Sequence, residues 1–185
     1  MNLGDLLTAT VGVLEAESIP YMLTGSIASA FYGEPRATRD IDIVIDPTAG
    51  QLDRLITRLQ ELPAYVDEGA ARSALRERSQ FNAVVGDAKI DFVIRKARPF
   101  SNAEFERRRH VQLPGLAADV VSAEDLVLVK LEWAAATDSD RQLRDVEGMV
   151  RSVGSDLDRG YVDGWAARLG VTERWRQILA SLAEE

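Results

Sequence analysis

Apolar residues along this chain switch between two spacings, and the switches divide it into elements. Leu3, Leu6, Leu7, Val11 and Leu14 recur at helical intervals, so the sequence predicts an amphipathic helix over 3–17 that Pro20 cannot continue. A short strand follows at 21–23, then a short helix over 26–32 that stops at Gly33-Glu34-Pro35. From Ile41 the period drops to two: Ile41, Ile43 and Ile45 alternate with Asp42, Val44 and Asp46, which predicts a strand with an isoleucine face toward the core. Helical spacing returns over 49–62 through Leu52, Leu55, Ile56 and Leu59 and closes at Pro63, with a shorter charged helix expected over 68–78. The runs 81–85 and 89–95 predict an antiparallel hairpin turning at Gly86-Asp87. In the second run Ile90, Phe92 and Ile94 alternate with Lys89, Asp91, Val93 and Arg95, so Asp91 faces away from the apolar side, as Asp42 does.

Beyond Pro99 the pattern predicts a charged helix-like stretch at 103–109 and β-like segments around Val111 and Val120. Helices are expected at 122–136, 142–153, 157–169 and 172–182, with Ser122 and Asp125 spaced as a capping box and Gly170 as a stop. No internal repeat or low-complexity tract interrupts them. The expectation is a mixed α/β (α+β) fold: a core over 1–115 and a helical C-terminal part over 116–185 packed on it, together one folding unit.

Composition narrows the chemistry. With 46% hydrophobic and 28% charged residues the chain resembles ordinary soluble globular proteins. No apolar run is long enough for a membrane span, and 1–5 lacks the basic start of a signal peptide, so no membrane partner and a cytoplasmic location are the expectation. The absence of cysteine and the single histidine, His110, remove disulfide frameworks, thiol nucleophiles and Cys/His zinc sites. Any metal must be held by oxygen, which points to Mg²⁺ shared between carboxylates and a phosphate. A net charge of −8 argues against broad, unspecific nucleic-acid binding.

Against that background Asp40 and Asp42 stand out, because a strand rarely carries two acids in its interior without compensation. Spaced by two, their carboxylates leave the strand on one face and repel unless a cation lies between them. Asp91, in phase on its own strand, is the third carboxylate that would complete a two-ion site. Gly25-Ser26 opens a helix, where backbone N–H groups and the helix dipole favour a phosphate, glycine permits close approach and serine adds a hydroxyl.

A Gly-Ser pair at a helix start, then Asp-x-Asp on a strand, then a distant strand Asp, resembles the signature of the DNA polymerase β-like nucleotidyltransferase superfamily. The stretches "PRATRDIDIVID", "AKIDFVI", "SAEDLVLVKLEWA" and "RQLRDVEGMV" are similar to its AbiEii-type branch, known for toxins of toxin–antitoxin and phage-defence modules; the likeness runs over about 21–149. It implies a mixed sheet flanked by helices, Mg²⁺ on Asp40, Asp42 and Asp91, Asp91 as a general base, and the triphosphate on Gly25 and Ser26. Lys130 and Asp145 match the Lys and Asp with which that branch completes its site, the lysine on nucleotide phosphate. Arg36 and Arg39, around the turn into the Asp-x-Asp strand, stand in the right neighbourhood to hold the triphosphate.

The implied activity is Mg²⁺-dependent transfer of a nucleoside monophosphate from an NTP to tRNA or a protein, as the toxin of a module with a cognate antitoxin. An antibiotic-modifying nucleotidyltransferase and a non-catalytic nucleotide- or partner-binding module are the alternatives. Several features also have plainer readings. Gly25-Ser26 alone is an ordinary helix start, Lys130 or Glu132 interrupts an apolar helix face, and Asp145 has Arg141 one turn earlier for a surface ion pair. The basic run Arg95, Lys96, Arg98, Arg107, Arg108 and Arg109 reads as a solvated helix before it reads as an RNA surface. His110, Trp133, Trp165 and Trp175 read as structural.

Overall fold

The computed structural model describes residues 2–33 and 38–183. The described chain forms two compact units, one of residues 2–27 and 38–120, the other of 28–33 and 121–183.

The first unit is built on a seven-stranded mixed sheet. Its strands are β1 (Tyr21–Thr24), β2 (Asp40–Ile45), β3 (Tyr65–Val66), β4 (Gln80–Val85), β5 (Ala88–Ile94), β6 (Arg109–Leu113) and β7 (Leu116–Val120), in the order β3-β4-β5-β2-β1-β7-β6. β2 runs parallel to β5 and β1 parallel to β7, while the remaining neighbours are antiparallel. Period-2 alternation decides which face is dry: Ile41, Ile43 and Ile45 on β2 and Ile90, Phe92 and Ile94 on β5 are all buried. Phe81 of β4 stacks on Phe92 with ring centroids 5.0 Å apart. Residues between these positions, including Asp42 and Asp91, leave the sheet on the other face.

The helices of this unit start where the sequence supplies caps. Asn2 and Asp5 form a capping box on α1 (Leu3–Ala16), and Thr48 and Gln51 do the same for α3 (Ala49–Glu61). Gln51 also donates from Nε2 to the Ser18 carbonyl at 2.7 Å, and Arg54 and Arg58 converge on Glu17, so α3 is fastened from its first turn to its last to the end of α1. The two guanidiniums hold the Glu17 carboxyl below its ordinary range. α4 (Glu68–Glu77) packs on β4 and α3.

Two expectations shift here. The stretch around Val111 and Val120 is one hairpin, β6–β7, turning at Gly115 with φ +76°. The preceding helix, α5 (Pro99–Glu106), starts four residues earlier than expected because Pro99 serves as its first turn rather than as a break. The basic run is also largely committed inside the unit. Arg95 pairs with Asp46 at 2.7 Å and Arg108 with Asp119 at 3.1 Å, both guanidiniums lie over the Phe105 ring, and Arg98 lies over Phe100.

In the second unit α6 (Ala123–Thr137) contacts α7 (Asp140–Val153), α8 (Arg159–Leu169) and α9 (Thr172–Ala183). α6 is buried continuously from Ala123 to Leu128, which explains why its pattern shows no single apolar stripe. Asp125, fully buried there, accepts hydrogen bonds from the Ser122 hydroxyl at 2.5 Å and the Tyr161 hydroxyl at 2.6 Å. Trp175 is buried and donates from Nε1 to Asp163 at 2.6 Å, whereas Trp133 is 53% exposed, so only the former fills a core as expected. Among the described residues no helix is long and apolar enough to cross a membrane.

Candidate active site

β1 ends at Thr24 and α2 (Gly25–Tyr32) begins at the next residue, so strand and helix join without a loop. Gly25 makes the junction possible by taking φ +59°. A Cβ at this position would lie 2.0 Å from Asp42 Oδ2, 2.5 Å from its Cγ and 2.8 Å from its Cβ. Only a residue without a side chain lets the first turn of α2 come so close to that carboxylate. Ser26 is buried, and its hydroxyl is 3.1 Å from the Thr38 hydroxyl. Thr38 Oγ1 in turn accepts from the Asp40 N–H and donates to the Asp40 carbonyl, both at 3.2 Å. This one threonine thus ties the helix start to the head of β2.

Strand register assembles the acidic residues. Asp42 stands opposite Thr24 on one side and Asp91 on the other, and Asp40 stands opposite Lys89. Asp40, Asp42, Lys89 and Asp91 therefore form a two-by-two block on one face of the parallel pair β2–β5. Asp40 is exposed and the other three are half-buried. The Lys89 ammonium meets Asp91 Oδ2 at 2.7 Å. Its hydrogen bond to Asp91, and then the charges of Asp91, Asp40 and Asp42, push the Lys89 pKa upward against the opposing effect of burial. One cation among three carboxylates leaves the block with a net negative charge.

A divalent ion suits this block in donor chemistry and in register: the carboxylate donors are all oxygens and they share one face. An ammonium already occupies the position of a counter-cation. Among the described residues no three acidic or imidazole side chains converge on one point as a finished metal cage, and Asp91 is turned toward Lys89.

No family model matches the sequence, and no curated protein matches it. Solved structures do. The solution structure of the antibiotic-resistance factor ANT(2'')-Ia is 13% identical with a TM-score of 0.60, covering 97% of this chain and 94% of that one. The crystal structure of ANT(2'')-Ia with adenylyl-2''-tobramycin is 14% identical with a TM-score of 0.62, over 89% of this chain and 95% of that one. The lincomycin-bound lincosamide adenylyltransferase LnuA is 13% identical with a TM-score of 0.56, over 80% and 96%. The fold is that of the nucleotidyltransferases.

Within this nucleotidyltransferase fold the other expected site residues divide. Gly25, Ser26, Asp40, Asp42 and Asp91 all lie at the block just described, in the first unit. Lys130 and Asp145 belong to the helical unit, where Lys130 is 4% exposed and donates to Asp145 Oδ2 at 2.7 Å and to Gln142 Oε1 at 3.0 Å. Lys130 is therefore the inward residue of the Lys130/Glu132 pair, and Asp145 has a buried lysine as partner. Arg39 is exposed and reaches Asp87 loosely, at 3.7 Å. Arg36 lies outside the described residues. Thr38 and Lys89 also join the site; they lie within the stretches "PRATRDIDIVID" and "AKIDFVI", but the sequence alone gives neither of them a role. Lys89 carries a readable signal all the same, since it precedes Asp91 by one strand period.

Proposed function

We propose that this chain is a nucleotidyltransferase that moves a nucleoside monophosphate from a nucleoside triphosphate to an acceptor, using Mg²⁺ held by Asp40, Asp42 and Asp91. One observation carries the reading: in a nucleotidyltransferase fold, the registered pair Asp42–Asp91 and its neighbour Asp40 stand beside a helix start whose glycine lets the Asp42 carboxylate lie where a side chain would otherwise be. Amide N–H groups of the first turn of α2 receive the triphosphate, and the Ser26 hydroxyl, held by Thr38, lies in the same turn. An acceptor oxygen attacks the α-phosphorus, a new P–O bond forms, the bond to the β-phosphate oxygen breaks, and pyrophosphate leaves. The acceptor proton passes to the Asp91 carboxylate. Bound Mg²⁺ would neutralise the charge that builds on the phosphate oxygens.

For the acceptor, the AbiEii-type likeness of the motifs supports tRNA or protein and the role of a toxin with a cognate antitoxin. The fold likeness to ANT(2'')-Ia and LnuA supports a second reading, in which the acceptor is a hydroxyl of a small antibiotic. The test is incubation with Mg²⁺ and each α-labelled nucleoside triphosphate in the presence of total tRNA, the chain itself, an aminoglycoside or a lincosamide, beside Asp40→Ala/Asp42→Ala. The proposal expects label on one acceptor with the native chain and none with the variant. A chain that binds nucleotide equally well in both forms and labels nothing is a binding module instead.

A further inference from the structure

The two-by-two block contains a residue that the transfer reaction does not require. Lys89 lies on the carboxylate face, opposite Asp40, with its ammonium 2.7 Å from Asp91 Oδ2. Asp40 and Asp42 act on it as well. Its side chain is 41% exposed, against 19% for Asp91, so the lysine is the partner of this pair that lies open to solvent. On the far side of β5, β4 places Asn82 opposite Asp91 and Val84 opposite Lys89, so no further charged group comes from that strand on this face.

We propose that Lys89 is a tethered counter-cation that competes with the divalent ion for Asp91, so that metal loading requires the ammonium to be displaced. This rests on the carboxylate block being the metal site. A divalent cation on the same oxygen would stand within a few ångströms of the ammonium, and like charges at that distance repel strongly in a half-buried setting. The lysine keeps the acidic block from repelling itself when no other cation is near, and it sets a threshold that the incoming ion must exceed. A nucleotide that brings its own phosphate charge offers the displaced ammonium a new partner, so the lysine favours loading of metal together with triphosphate over metal alone.

The test is calorimetric titration of Mn²⁺ into the full chain, without nucleotide, for the native protein and for Lys89→Met, Lys89→Arg, Lys96→Met and Asp42→Asn. Lys96 is exposed and its replacement changes the net charge by the same amount. The proposal expects Lys89→Met to bind Mn²⁺ about three- to tenfold more tightly than the native chain, Lys89→Arg to bind like the native chain, and Lys96→Met to show no change. Circular dichroism on each variant checks that the fold is kept. Equal or weaker binding by Lys89→Met overturns the competition, and if Asp42→Asn still abolishes binding the metal site itself stands. Tightening in Lys96→Met as large as in Lys89→Met also overturns it, as an effect of net charge alone. If neither the native chain nor Lys89→Met takes up Mn²⁺, the carboxylate block is not a metal site and both readings fall.

Discussion

Gly25 and Gly86 share the same backbone angle, φ +59°, in very different surroundings. A Cβ at Gly86 meets nothing within 4 Å, whereas at Gly25 it meets Asp42 Oδ2 at 2.0 Å, Cγ at 2.5 Å and Cβ at 2.8 Å. Alanine at either position incurs a left-handed backbone cost of about 1–2 kcal/mol, partly offset by about 0.4–1 kcal/mol from a stiffer unfolded chain. Gly86→Ala should therefore destabilise by about 1 kcal/mol. Gly25→Ala adds the collision. Rotating Asp42 relieves the clash with Oδ2 and Cγ but not with Cβ, which is fixed to the β2 backbone, so the junction or the strand must shift. That adds about 1–3 kcal/mol, the range for forcing an extra carbon into a packed site. Urea unfolding of the two variants at constant slope measures the difference. Because the shift moves Asp42, transfer by Gly25→Ala should also fall by about 100-fold, while Gly86→Ala transfers like the native chain. Equal destabilisation of the two variants, or full transfer by Gly25→Ala, would refute the close approach between helix start and carboxylate.

Other expectations follow from particular contacts. Lys130→Met or Asp145→Leu alone strands a buried charge and should cost about 3 kcal/mol, whereas the double replacement should cost clearly less than the sum, read from denaturant unfolding. Thr38→Val removes the link from Ser26 to the head of β2 and should lower stability by about 1 kcal/mol while raising the KM for nucleotide, measured by steady-state transfer. Burial pushes the Tyr21 hydroxyl up to about 12. Between pH 10 and 12 the unfolded chain has lost that proton while the folded chain keeps it, so stability falls as pH rises through this window. The fall should be shallower in Tyr21→Phe, and identical pH profiles for the two proteins would contradict the burial argument.

The carboxylate block is legible in the sequence because it obeys a simple rule. Period-2 alternation fixes which side chains share a face, and that alone puts Asp40 and Asp42 on one face and Asp91 in the same phase on its own strand. What the alternation does not give is register between strands far apart in sequence, and the pairing of Asp42 with Asp91 and of Asp40 with Lys89 comes only from the parallel alignment of β2 and β5. The same limit hides Lys89: it is visible as an out-facing residue, but its neighbours across the strand are not. β3, two residues long, leaves no periodic signal at all. The basic run from Arg95 to Arg109 looks like a surface because charge is read from sequence and partners are not; Asp46 and Asp119, which take Arg95 and Arg108, come from other strands and loops. Lys130 is ambiguous for a related reason, since a helix surrounded on several sides has no single polar face by which to judge one lysine.

The central claim is that this acidic block passes the α-phosphate of a nucleoside triphosphate to an acceptor. The most direct measurement runs parallel reactions with the same nucleotide labelled at the α- or at the γ-phosphate, using the native chain, Mg²⁺ and the candidate acceptors. The account predicts that α-label becomes bound to an acceptor while γ-label leaves as pyrophosphate. Transfer of γ-label to the acceptor, or release of γ-label as free phosphate with α-label left in nucleoside diphosphate, would contradict it.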